Sequence, residues 1–181
     1  MFVFLEWLKN FVSYDADREF YAKVFPDSVS TVDLMRLREM RKTDLTRVLE
    51  IEGQNYTSPW SEETFNDCFN ALNYSCWVYE DMQTIIAYAI LSTGAGEAHI
   101  MNISVAPAMQ GQGVGRKIME HLIATARKKA QTLFLEVRVS NHKAQALYDS
   151  LGFNEIGIRK GYYPAENNYR EDAIMLALEL L

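Results

Sequence analysis

Three glycines at alternate positions, Gly111, Gly113 and Gly115, lie between two patterned stretches of the chain. Ile100, Ile103 and Val105 form an alternating apolar run closed by Pro107; Ile118, Met119, Leu122, Ile123 and Ala126 then recur on one helical face. A strand, a glycine-rich loop and a helix start make an anion site. The first helical turn leaves backbone N–H groups unpaired, and the helix dipole favours negative charge there. A side chain at Gly113 or Gly115 would hold a phosphate away from that backbone, and glycine tolerates the positive φ of a tight loop. The spacing therefore points to a phosphorylated ligand. A Walker loop is excluded, because no Gly-Lys-Ser/Thr follows. The dinucleotide fingerprint G-x-G-x-x-G fits at Gly111 and Gly113, and Glu136 lies about 20 residues on, where its ribose-binding acid belongs. It fails at its third glycine, which is Arg116, and Glu136 reads as interior to a strand. The pattern Q-x-x-G-x-G fits residues 110–115 without exception.

Other reactive side chains have two readings each. In residues 133–139, Leu133, Leu135, Val137 and Val139 share one face of a strand, and Phe134, Glu136 and Arg138 share the other. Glu136 there is either functional or paired with Arg138 or a cation of another strand. Tyr148 sits on an apolar helical stripe with Ala144, Leu147 and Leu151, where a tyrosine is usually core. Asn141 is placed to cap that helix, and Gly152 to end it. His99, His121 and His142 have no companion carboxylate or nucleophile. Cys68 and Cys76 form neither a metal-ligand pattern nor a disulfide framework, which points to a reducing, cytoplasmic home and no metal.

The elements that must position these groups follow from periodicity. At 181 residues the chain is long enough for one domain with a substantial core. Residues 32–40 read as a strand. Thr43 or Asp44 caps a helix carrying Leu45, Val48 and Leu49, and Gly53 opens a loop that ends at Pro59 and Trp60. Ser61 caps a helix over residues 62–70. Residues 75–80 and 84–93 read as a hairpin, 98–105 as a strand, and 114–130 as the long helix. Residues 154–160 and 172–180 are the last strands, separated by a tyrosine-rich loop. This order of helices and strands makes the class α/β or α+β, with an antiparallel share. Residues 1–33 stand apart: Phe4, Leu5, Leu8, Phe11 and Val12 recur at helical spacing. They read as a helical extension, packed on the domain or offered to a partner. Glu6 and Lys9 interrupt the apolar run, so it is neither a signal peptide nor a membrane span.

Beyond the loop, PWSEETF, NISVAP, QGQGVGR, LEVRVSN, ALYDSLGFNE, GYYP and EDAIMLAL occur in an order that resembles the GCN5-related N-acetyltransferases, and among them those that acetylate protein N-termini. The resemblance covers residues 34–178 and makes 34–181 the acetyltransferase domain. It implies a bent, mixed, mostly antiparallel sheet whose central strands splay apart at a bulge, flanked by helices. It implies acetyl-CoA as cofactor, with Ile103, Ser104 and Val105 on the pantetheine and Gly111, Gln112, Gly113, Val114, Gly115 and Arg116 on the pyrophosphate. Asn141 touches the cofactor near its reactive end. By the same resemblance Glu136 is the general base that takes the amine's proton, directly or through water, and Tyr148 is the acid that protonates the leaving thiolate. Backbone N–H groups of the splayed strand polarise the carbonyl. Tyr162 and Tyr163 border the acceptor.

The acceptor implied is a protein or peptide N-terminus, with an N-terminal alanine of a small-subunit ribosomal protein as the leading case. Competing readings are a lysine side chain or small amine as acceptor, and a non-catalytic acyl-CoA-binding module. A net charge of −6 argues against a nucleic-acid partner and permits a basic acceptor. Glu50, Glu52, Glu62 and Glu63 around the 53–59 loop are expected to favour basic residues after the first, unless they merely form a solvated surface. The sequence departs from the family at Gly111, where a basic residue is more usual.

Overall fold

The computed structural model describes residues 35–81, 83–165 and 169–180. The extension expected over residues 1–33 lies outside the described residues. Among those described, the chain runs β1 (Arg36–Glu39), a 3-10 turn (Lys42–Asp44), α1 (Leu45–Asn55), α2 (Glu62–Asn70), β2 (Tyr74–Asp81), β3 (Thr84–Gly94) and β4 (Glu97–Val105). A second 3-10 turn (Pro107–Met109) leads to α3 (Val114–Ala126), β5 (Thr132–Arg138), α4 (His142–Ser150), β6 (Asn154–Pro164) and β7 (Arg170–Glu179). The strands form one sheet in the order β1-β2-β3-β4-β5-β7-β6. β4 and β5 pair in parallel, while β2–β3, β3–β4, β5–β7 and β6–β7 are antiparallel. The expected α/β class with a mostly antiparallel sheet is the one adopted.

β3 is apolar without a break from Ile85 to Leu91, and every one of these residues is buried. A strand of that kind belongs mid-sheet, covered on both faces. One face carries Val78, Tyr88 and Ile90, packed with Leu45, Val48, Ile51 and Phe65 of α1 and α2. The other face meets α3: the Trp77 ring stacks edge-on against His121 at 4.6 Å, and Tyr79 Oη donates to Lys117 O at 3.0 Å. The stripe of α3 (Val114, Ile118, Met119, Leu122, Ile123, Ala126) is buried as its spacing requires. Truncating Leu122, fully buried there, to alanine is expected to cost roughly 2–5 kcal/mol.

Four local expectations need correction. α1 does not stop at Gly53; it runs on to Asn55, whose Nδ2 donates to Ile51 O and to β4. The bonds to β4 offset the roughly 0.5–1 kcal/mol that a mid-helix glycine costs. Asp44 does not cap α1 with its side chain. Its carboxylate accepts from the Arg41 N–H at 2.6 Å and from both terminal nitrogens of Arg38 at 2.6 and 2.9 Å. α3 ends at Ala126 rather than Ala130, the chain continuing in hydrogen-bonded turns. β6 runs through Gly161, Tyr162 and Tyr163 to Pro164, where a loop was expected. β6 is an edge strand and largely exposed, so no apolar alternation marks its far end.

Candidate active site

The site begins where β4 and β5 part. They pair from Glu97 opposite Thr132 to Ile100 opposite Leu135, and both strands then continue without pairing to each other. The cause lies in β4, where Ile90 faces Asn102 and Leu91 faces Ile100, leaving Met101 as an extra residue. Such a bulge bends its strand and disrupts the ladder. Beyond it, Ile103 and Val105 turn their carbonyls away from β3. Tyr56 Oη donates to Ile103 O at 2.9 Å, and Asn55 Nδ2 and Gln110 Nε2 both donate to Val105 O at 3.0 Å. In an extended strand the N–H of a residue points the same way as its carbonyl, so the Ile103 and Val105 N–H groups also face the gap. Ser104 differs. It lies opposite Tyr88 of β3, and its hydroxyl accepts from Asn55 Nδ2 at 2.8 Å.

Past Val105 comes the glycine loop. Gly111 and Gly113 have φ of +75° and +87°, and a Cβ built at either would meet nothing within 4 Å. Gly113 is the N-cap of α3 in the left-handed conformation, so the N–H groups of the first turn open outward beside it. Gly115 differs, being helical, with only an ordinary contact awaiting a Cβ: Leu147 Cδ2 at 3.5 Å. The loop is braced from within. Gln112 Nε2 donates to Ala108 O at 2.9 Å and Gln110 Nε2 to Asn55 Oδ1 at 2.9 Å. Arg116 Nη2 donates to Ser150 Oγ of α4 at 2.6 Å, which ties α3 to α4 at the loop.

On the β5 side, alternation buries Leu133, Leu135 and Val137 and leaves Glu136 on the opposite face, half-buried. Its carboxylate lies 3.2 Å from Arg159 Nη1 of β6, so of the two pairings open in the sequence it takes the cation of another strand. Arg138 is engaged elsewhere: Nη1 meets Glu171 Oε2 at 2.9 Å, Nη2 donates to Pro164 O at 2.9 Å, and its guanidinium lies 4.5 Å from the Tyr163 ring centroid. Tyr163 Oη donates to Glu136 O at 2.9 Å. Tyr162, more exposed, packs edge-on against Tyr163 at 4.9 Å.

Tyr148 of α4 is buried, and that burial pushes its phenol up to about 12. Burial also raises Tyr163 well above the usual range, helped by Tyr162, Glu136 and Tyr148. Tyr56 is raised by burial and then by Glu52, Tyr148 and Tyr163. The three phenols thus lie near one another, with Glu136 beside Tyr163. Asn141 Oδ1 accepts from Ala144 N at 3.1 Å and caps α4 as its position suggested. His99 packs on Phe134 at 5.0 Å and His121 on Trp77, which are packing roles. Burial pushes the Cys76 thiol up to about 12 and also raises Cys68, so neither is disposed to be a nucleophile. Among the described residues no group of acids, histidines and cysteines could hold a metal, and no helix is long and apolar enough to cross a membrane.

Sequence reasoning missed Glu52, Asn55 and Tyr56. Glu52 is 1 % exposed, so it is no part of an acidic surface. Glu50 is held by Arg47 at 2.8 Å, and of the four acids only Glu62 and Glu63 stand exposed and unengaged in that argument. The one available signal was helical: Glu52 falls on the stripe of Leu45, Val48 and Ile51.

A gap between parallel strands beside a glycine loop at a helix start offers backbone N–H groups to an extended, anionic ligand. The family description "Acetyltransferase (GNAT) family" matches residues 45–153, and the chain belongs to that family of acetyl-CoA-dependent acyltransferases. Among its relatives, the [ribosomal protein bS18]-alanine N-acetyltransferase of Escherichia coli K12 is 44% identical over 147 residues, 80% of this chain and 97% of that protein. The enzyme of the same name from Haemophilus ducreyi is 44% identical over 138 residues, 76% of this chain and 94% of its own length. The crystal structure of the ribosomal-protein-S18-alanine N-acetyltransferase from Escherichia coli superposes with a TM-score of 0.75 at 41% identity, covering 81% of this chain and 94% of that one.

Proposed function

We propose that this chain transfers the acetyl group of acetyl-CoA to the N-terminal α-amine of a protein, with the alanine of ribosomal protein bS18 as the leading acceptor, in the cytoplasm. Residues 34–181 carry the activity. The observation that carries the reading is the gap opened after Ile100 and Leu135, with the glycine loop following β4; support comes also from Glu136 and Tyr148, which both neighbour Tyr163. The choice of acceptor rests on the relatives, which bear that activity in their names.

Acetyl-CoA supplies an activated thioester when bound. The residues fit such a carrier: two positive-φ glycines face open space at the start of α3, and the Ile103 and Val105 N–H groups face the gap. Gly111 through Arg116 hold the pyrophosphate with backbone N–H groups, so the lack of a basic residue at Gly111 leaves the cradle whole. Ile103 and Val105 hold the pantetheine arm by backbone. Ser104, between them, completes the segment that holds the arm, its hydroxyl accepting from Asn55 Nδ2. Asn141 stands where α4 begins and lines the reactive end.

An α-amine suits the acceptor side, since its ordinary pKa near 7.7–8.0 leaves an appreciable neutral fraction at neutral pH, whereas lysine near 10.4 leaves very little. Glu136 takes the remaining proton at its carboxylate, directly or through water. Its partner Arg159 is the more exposed of the two, with 46% of its side chain accessible against 15% for Glu136, and can swing aside for the acceptor's ammonium. Tyr148 donates from Oη to the leaving sulfur; pushed up to about 12, it keeps its proton at neutral pH. Tyr162 and Tyr163 flank the peptide. Incubating the protein with acetyl-CoA and a peptide library, and locating the modified atom by mass spectrometry, tests this. Acetylation at the α-amine of alanine peptides is expected; preferential modification of internal lysines, or bound cofactor without turnover, would overturn it.

A further inference from the structure

The last turn of α1 and the residue that caps it read the bulged strand residue by residue. Glu52 Oε1 accepts from Asn102 Nδ2 at 3.2 Å, Tyr56 Oη donates to Ile103 O, and Asn55 Nδ2 donates to both Ser104 Oγ and Val105 O. Glu52 and Asn55, three residues apart, share one face of α1, and Tyr56 follows as its C-cap, its N–H donating to Glu52 O. Glu52 adds two further contacts. Its Oε1 also accepts from the Trp60 N–H at 2.9 Å, and its other oxygen accepts from the Tyr88 hydroxyl of β3.

We propose that Glu52 is a positioning residue of the acceptor site, a buried carboxylate that pins the loop ending at Trp60 to the segment of β4 just past its bulge. This deepens the reading above and rests on it, since Tyr56 at the start of that loop lies near Tyr163, which that reading sets beside the acceptor. Three donors converge on Glu52, and all three are neutral: a backbone N–H, an amide and a phenol. An acidic side chain is hidden from water only at considerable cost unless its oxygens are hydrogen-bonded. Here the bonds reach three separate pieces of chain: Trp60, which follows Pro59 in the PWSEETF stretch, Tyr88 mid-sheet, and Asn102 beside the extra residue Met101. Losing the carboxylate frees Trp60 and Asn102 together, since both bond the same oxygen. The loop over residues 56–60 then moves independently of the strand that lines the gap.

The geometry also says which substitute keeps the tie. In Glu52→Gln the amide oxygen still accepts from Trp60 and Asn102, and the new NH2 donates to the Tyr88 hydroxyl, which turns to accept. Glu52→Ala has no such option. A role through negative charge would be lost in both variants; a positioning role is lost in one.

The test measures amide exchange of residues 56–60 by mass spectrometry, acetyl-CoA affinity by calorimetry, and the KM of an alanine-initiated peptide, all on the full chain. Glu52→Ala is expected to speed exchange in that segment by about tenfold or more and to raise the peptide KM by about tenfold, with acetyl-CoA affinity within about twofold of wild type. Glu52→Gln is expected to stay within about twofold of wild type throughout. A folded Glu52→Ala with unchanged exchange, or a Glu52→Gln as impaired as the alanine variant, overturns the proposal. Should Glu52→Ala fail to fold, Asn102→Ala decides: faster exchange in 56–60 supports the tie, and unchanged exchange overturns it. Absence of wild-type turnover of the peptide would remove the acceptor reading instead, while exchange still tests the tie.

Discussion

Tyr163 reaches Glu136 through the backbone: its Oη donates to Glu136 O at 2.9 Å, while the carboxylate of Glu136 faces Arg159. The hairpin of β6 and β7 is thereby fastened to β5 at the residue proposed as base, and the carboxylate of that residue is left to its ion pair with Arg159. Arg138, 4.5 Å from the Tyr163 ring centroid and bonded to Glu171 and Pro164 O, holds the same hairpin from the other side.

Removing that phenolic bond should loosen the acceptor side without abolishing the chemistry. Tyr163→Phe forfeits one hydrogen bond, worth about 0.5–1.5 kcal/mol, so the peptide KM is expected to rise roughly two- to tenfold. Steady-state kinetics with an alanine peptide check this. A hundredfold fall in kcat instead would mean that Tyr163, rather than Tyr148, moves the proton.

Glu136→Gln should lower turnover by roughly 10²–10⁴, the range for a lost general base, with acetyl-CoA affinity little changed. Tyr148→Phe should slow turnover too, since the leaving sulfur loses its donor. Single-turnover rates decide, and wild-type rates in both variants would dismiss the mechanism. With its phenol pushed up to about 12, Tyr148 keeps its proton as pH rises through the ordinary tyrosine range, so no loss of rate near pH 9 is expected from it.

Gly113→Glu should weaken acetyl-CoA binding by roughly tenfold or more while the core stays folded, because it places a charged side chain beside the pyrophosphate cradle and strains a backbone at φ +87°. Calorimetry on the folded variant tests it. Unchanged affinity would remove the loop from the cofactor site.

Asp44 gives a pH-dependent prediction. Burial alone would raise its carboxyl, but bonds from Arg38 and the Arg41 N–H outweigh it and hold the group below its ordinary value of 3.8. A carboxyl depressed on folding contributes stability above its unfolded pKa and loses it as pH falls through the folded one. Asp44→Asn is therefore expected to cost about 2 kcal/mol at pH 7, by loss of the charged bonds to Arg38. The gap between wild type and variant should close as pH falls below about 4. Urea unfolding at pH 7 and near pH 3 measures it; an equal gap at both would show that the charge plays no part.

Much of the fold was readable before any coordinates, and for a common reason. The glycine loop, the stripe of α3, the alternation of β5 and the caps Ser61 and Asn141 each lie within one short stretch, and each follows a local rule of helix, strand or turn. Family motifs named Glu136 and Tyr148 because they too are contiguous strings of residues. Tertiary structure alone decided the remainder. Glu52 meets Asn102 across 50 positions, Tyr56 meets Ile103 across 47, and Tyr163 meets Glu136 across 27. The cation facing Glu136 is Arg159, two strands over in a sheet whose order departs from the chain's. No period in the sequence marks such pairs. A carboxylate on a helix stripe looks the same in sequence whether solvent or three hydrogen-bond donors await it, and only the packing of α1 on β3 and β4 makes that choice.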